Sequence, residues 1–196
     1  LNEIALRITP NDEDILRQIA MTAMTGKGAE DSKEKFADII VKAVKQVQDN
    51  GKIDLNDIKI EKSKGHGIED TELISGIVLD KEKISHDMPF RVDNAKIALI
   101  DSPLELKNPE IDTKISISSP EQLQSFLSQE EKEIREMIEK IKFSGANVIF
   151  CQKGIDDFAQ YLLSKEKIYV CRRVARSDME KLSKATGGRI VSNLSE

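Results

Sequence analysis

Apolar residues recur at helical spacing over residues 119–145, where Leu123, Phe126, Leu127, Ile134, Met137, Ile138 and Ile141 share one stripe. Ser119 reads as an N-cap, Pro120 stands at the first helical position, Gln122 completes a capping box, and Gly145 can supply a left-handed stop. The pattern predicts one helix of about 25 residues, roughly 37 Å long, which exceeds the breadth of a small domain. The stripe is interrupted: where another core residue is due, the chain reads Gln129-Glu130-Glu131-Lys132-Glu133. Two apolar patches result, and only the later one runs directly into a buried strand pattern, residues 146–151. The first half of the helix is expected to project, with its patch open to another chain.

Ahead of this rod, Thr9-Pro10-Asn11-Asp12 opens a helix with Ile15, Ile19, Ala20 and Ala23 on one face, ending at Thr25-Gly26-Lys27-Gly28. Asp31 and Glu34 signal a second cap, followed by the stripe Phe36, Ile39, Ile40, Ala43, Val44, Val47 and a stop at Asn50-Gly51. These two helices form an αα-hairpin, one thin layer that cannot bury both stripes alone. Residues 57–62 alternate as a strand does, residues 63–67 form a turn or hinge, and 76–79 and 95–100 read as buried strands on either side of a loop at Met88-Pro89. In residues 103–118, Ile111, Thr113, Ile115 and Ile117 alternate with polar neighbours and lead into the projecting helix. After the rod come a helix at 155–165 with Phe158, Ala159 and Leu162 inward, a strand at 168–174, a helix opened by the capping box 177–180 and stopped by Gly187, and a strand at 189–192. Strands alternating with helices imply a mixed α/β fold around a parallel or mixed sheet.

Composition narrows the function classes. The 196 residues can bury about 70% of the unfolded surface, enough for one large domain or two small ones. A net charge of -5 argues against a generic nucleic-acid surface or an anionic membrane, and no apolar run reaches spanning length. Cys151 and Cys171 stand without metal-ligand neighbours and read as buried reduced thiols, which fits a cytoplasmic compartment. Beginning at Leu1, the chain reads as a piece of something longer.

Catalytic chemistry is sparse. Gly26-Lys27-Gly28 lacks the earlier Gly, the following Ser or Thr and the preceding strand of a phosphate loop, so a mobile loop tip is the plainer reading. His66 and His86 have no third ligand, and no metal site is expected. Asp156-Asp157 fall in a first helical turn, where negative charge complements the helix dipole. Arg172, Arg173 and Arg176 read as a solvated patch or ion-pair partners. By chemistry alone this is a binding module and not an enzyme. A small α/β ligand-binding or enzymatic domain is the alternative; it requires a polar pocket at the carboxyl ends of the strands holding His86 or Asp156-Asp157.

Several segments carry a resemblance: TGKGAE at 25–30, DTELISG at 70–76, DNAKIAL at 93–99, GANVIFCQKGIDD at 145–157 and RRVARSDMEKLSKATG at 172–187. In this order, over nearly the whole chain, they resemble the group II chaperonins, the archaeal thermosome and its eukaryotic cytosolic relatives. The resemblance implies a chaperonin apical domain with a helical protrusion at 75–196 and a small partial intermediate domain, containing the αα-hairpin, at 1–74. Residues 103–133 take the place of the built-in lid, with Ile111, Ile115, Ile117, Leu123, Phe126 and Leu127 facing neighbouring arms or unfolded clients. Phe158, Tyr161, Leu162 and Lys165 match the client-binding helix, and Lys27 matches the nucleotide-sensing lysine. The implied partners are non-native polypeptides and other subunits of an ATP-driven double ring, with neither nucleic acid nor membrane. The chain has no Gly-Asp-Gly-Thr-Thr phosphate motif, so ATP and Mg are expected only in the full-length parent. No cofactor and no ATP hydrolysis are expected of the fragment.

Overall fold

The computed structural model describes residues 4–49, 51–65, 67–106 and 119–194. The chain divides into two compact units, Leu1–Val78 and Leu79–Glu196, whereas the sequence reading drew the boundary after residue 74.

The first unit is built on α1 (Glu13–Met24) and α2 (Lys33–Gln46), followed by a two-residue-per-strand antiparallel hairpin of β1 (Gln48–Asp49) and β2 (Lys52–Ile53). The expected stop at Asn50-Gly51 becomes a hairpin turn: Gly51 has φ +77°, which a side chain disfavours. Asn50 itself lies outside the described residues. α1 begins later than Thr9-Pro10 suggest, because the Thr9 amide and hydroxyl both donate to Asp12 Oδ2 at 2.7 and 2.9 Å, and Asp12 becomes the N-cap position. α2 starts at Lys33 with Ser32 at the N-cap position, one residue later than a cap at Asp31 implies, continuing a short 3-10 turn. The two helices are joined by the Arg17–Asp38 ion pair at 2.8 Å and by Lys45–Glu13. Of the face expected for α1, Ile15, Ile19 and Ala23 are exposed; Leu16, Ala20, Met21 and Met24 are the half-buried apolar residues. Ala37 and Ala43 are the buried residues of α2. Residues 57–62 form no strand: Leu55–Asp57 is a 3-10 turn, and Ile60 is exposed.

The second unit holds a four-stranded parallel sheet in the order β5-β4-β3-β6, with β3 Ile97–Ile100, β4 Val148–Cys151, β5 Tyr169–Cys171 and β6 Ile190–Val191. Alternation along the strands sends Ala98, Ile100, Ile149, Cys151 and Val170 to one face. There they pack with Ile134, Ile138 and Ile141 of α3 (Pro120–Phe143) and with Ala159 and Leu163 of α4 (Asp157–Lys165). The opposite face takes Leu99, Val148 and Cys171, with Met179 and Leu182 of α5 (Arg176–Thr186). The segment 76–79, expected to be a buried strand, is not one, and Val78 is exposed. The edge of β5 instead receives a single backbone hydrogen bond from Ile84 N to Val170 O. α5 begins at Arg176 after Ala175, ahead of the expected capping box, because Asp178 N and Met179 N already close its first turn on Ala175 O.

Candidate functional site

α3 is a single helix of 24 residues divided by burial. Ser119 Oγ accepts from Gln122 N at 3.3 Å and Pro120 occupies the first turn, so the amino end forms where its signals place it. From Glu121 to Gln129 every residue is exposed, whereas Ile134, Ile138 and Ile141 are buried in the core. The change coincides with the polar run, where Gln129 Nε2 donates to Glu133 Oε1. Leu123, Phe126 and Leu127 are 46%, 39% and 49% exposed, adjacent at i, i+3 and i+4 on one helix face. Ile111, Ile115 and Ile117 lie outside the described residues. The chain is anchored before that segment by a parallel bridge between Leu104 and Ile155, reinforced by Leu104 N to Gly154 O and Asp156 N to Leu104 O.

That bridge sits at the start of α4. Asp156 Oδ1 accepts from Phe158 N at 2.8 Å and Asp157 Oδ1 from Gln160 Nε2 at 3.1 Å, so both carboxylates organise the first turn. Ala159 and Leu163 carry the burial of α4. Phe158 and Leu162, expected to point inward, are half-buried at the margin of the core, and Tyr161 and Lys165 are exposed. The rings of Phe158 and Tyr161 lie 6.4 Å apart at 18°. The guanidinium of Arg135, from α3, stands 4.8 Å from the centre of the Phe158 ring, a contact no sequence signal announced. Two aromatic residues were also missed: Phe90, whose ring faces Lys83 Nζ at 5.3 Å, and Phe143, both almost fully exposed.

In the first unit Lys27 is exposed on the loop after α1. Gly26, at φ +74°, donates its amide to Glu30 Oε2 at 3.0 Å, so the loop's own carboxylate holds the amide an anion would use. The same carboxylate also pairs with Lys33, Nζ to Oε1 at 3.7 Å. Among the described residues no three or more His, Cys, Asp or Glu cluster as metal ligands, and no helix is long and apolar enough to cross a membrane. Two hollows, of about 1200 and 320 Å³, open beside the second half of α3; neither is lined by His86, Asp156 or Asp157. His66 lies outside the described residues. Both thiols are buried, and burial raises both above their ordinary range, Cys151 to about 11.

Comparison with known proteins supplies the relation. A thermosome subunit of Methanopyrus kandleri is 54% identical over 100% of this chain and 37% of its own length. The thermosome subunit beta of Archaeoglobus fulgidus is 56% identical over 99% of this chain and 36% of its own length. The open-state monomer of a group II chaperonin from Methanococcoides burtonii matches the fold with a TM-score of 0.75 at 44% identity, covering 100% of this chain and 44% of that one. The chain thus spans little more than a third of the length of these curated relatives. The model of the TCP-1/cpn60 chaperonin family matches residues 1–196, and the chain belongs to that family.

Proposed function

We propose that the second unit captures non-native polypeptides through two apolar surfaces: the arm face of Leu123, Phe126 and Leu127, and the α4 face of Phe158, Tyr161, Leu162 and Lys165. The observation that carries this reading is the division of α3, one half anchored by three isoleucines and the other exposed yet apolar on one side. An exposed apolar stripe kept in solution by charged neighbours can bury hydrophobic surface from a partner without a shaped pocket. The second unit takes the part of an apical domain and the first that of a partial intermediate domain. In an assembled double ring the arm serves as lid, with Ile111, Ile115 and Ile117 in its entering segment. Lys27 senses nucleotide there, ATP and Mg being held by parts of the subunit outside this chain, and the setting is cytoplasmic.

The test is aggregation of a chemically denatured client diluted into a large excess of the chain. Suppression is expected, and it weakens when Phe126→Ser and Leu127→Ser are combined. Aggregation that proceeds equally with and without the chain contradicts capture. Capture by a single unit is weak compared with a ring, where linked sites add avidity, hence the excess.

A further inference from the structure

The α4 face is not built from α4 alone. Arg135 projects from the anchored half of α3, just past the polar run, and its guanidinium lies 4.8 Å from the Phe158 ring centre. Glu131, one turn earlier on the same helix, stands 3.7 Å from Arg135 Nη2. Phe158 in turn stacks on Tyr161. A cation, a half-buried ring and an exposed ring therefore form one contiguous set spanning two helices. We propose that Arg135 is a positioning residue for client capture: it holds the Phe158 ring in its stack with Tyr161, so that the aromatic pair is presented in one arrangement before a client arrives. This rests on the reading of α4 as a capture surface.

The physical basis is preorganisation. A half-buried phenyl ring at the edge of a core can turn about its side-chain torsions, and fixing it on binding costs free energy. A guanidinium over the ring face removes that freedom in advance through attraction to the ring quadrupole, and its planar shape suits the role better than an ammonium. Glu131 orients the guanidinium from its own helix. The set also links the helix that carries the arm to the helix that presents the rings.

Arg135→Met keeps the stem and removes the charge; Arg135→Lys keeps the charge and loses the plane. Binding of a fluorescently labelled, permanently unfolded polypeptide to the full chain is measured for both, alone and combined with Phe158→Leu. Arg135→Met is expected to weaken binding about two- to fivefold, the scale of an exposed cation–π contact. Arg135→Lys should recover part of the loss, and neither change should matter further once Phe158 is Leu. Proton NMR should show the Arg135 δ-methylene shifted upfield by the ring, and a Tyr161 ring signal that changes in Arg135→Met. Unchanged or tighter binding by Arg135→Met, or equal losses with and without Phe158, overturns the inference alone. No binding by the unsubstituted chain overturns the capture reading and this inference with it.

Discussion

Cys151 and Cys171 show how burial alone sets chemistry. Desolvation is the leading cause at both, and for Cys151 it outweighs the hydrogen bond from the Lys153 backbone, which favours the thiolate. Neither thiol should react readily with a disulfide reagent at pH 8, and both should react at once in denaturant. The folded thiol of Cys151 titrates near 11, above the unfolded value of 9.0. Its contribution is therefore complete below pH 9 and lost as pH rises towards 11, on the order of 2–3 kcal/mol at about 1.4 kcal/mol per unit. Urea melts between pH 8 and 11 should show the decline, and Cys151→Ala should reduce it, leaving the part that Cys171 and Tyr169, both also raised by burial, contribute. Asp156 gives a second test at this scale. Replacing it with Ala removes the cap on Phe158 N and should cost about 1 kcal/mol by the same melts. That the acidic pair stands at the start of a helix was legible from the stripe that follows it, whereas the N-cap role of Asp156 was not, because the helix was expected to open at Ile155. The Arg135–Phe158 contact was not, since nothing local connects two residues on different helices.

Among the elements, α3 makes the sharpest distinction between its halves. Ile138 is 2% exposed in the core, so Ile138→Ala should cost about 2–5 kcal/mol in a denaturant melt. Phe126→Ser and Leu127→Ser lie on the exposed half and should each change stability by about 0.5 kcal/mol or less. Comparable costs at both ends would mean that the arm is packed. The two halves could be read from the sequence because an amphipathic stripe broken by charge has the same meaning in any fold. Residues 76–79 misled for the opposite reason. Gly76-Ile77-Val78-Leu79 has the apolar run of a buried strand, yet an apolar run does not by itself supply a neighbouring strand to pair with, and Val78 stays exposed. The α1 face misled similarly: Ile15 and Ile19 fit a stripe with Ala20 as well as Leu16 and Met24 do, and only the position of α2 selects between them.

Taken whole, the molecule couples a well-anchored parallel sheet to surfaces that remain open. Each of β3, β4 and β5 carries a fully buried side chain, among them Ile100, Ile149 and Val170, whereas α1 has no buried residue. Amide exchange should consequently be slowest in those strands and fast in α1, since local opening follows the burial it must undo. The family relation reached the sequence through ordered segments spread over nearly the whole chain, while client, ring and nucleotide roles depend on surfaces that a residue pattern can only nominate. Amide exchange also offers the most direct test of capture, by comparing the chain alone with the chain saturated by a permanently unfolded polypeptide. Added protection over residues 119–133 and 157–165, with the α1–α2 hairpin unchanged, is the predicted footprint. A bound polypeptide that leaves both segments exchanging as before, or that protects the hairpin instead, would contradict it.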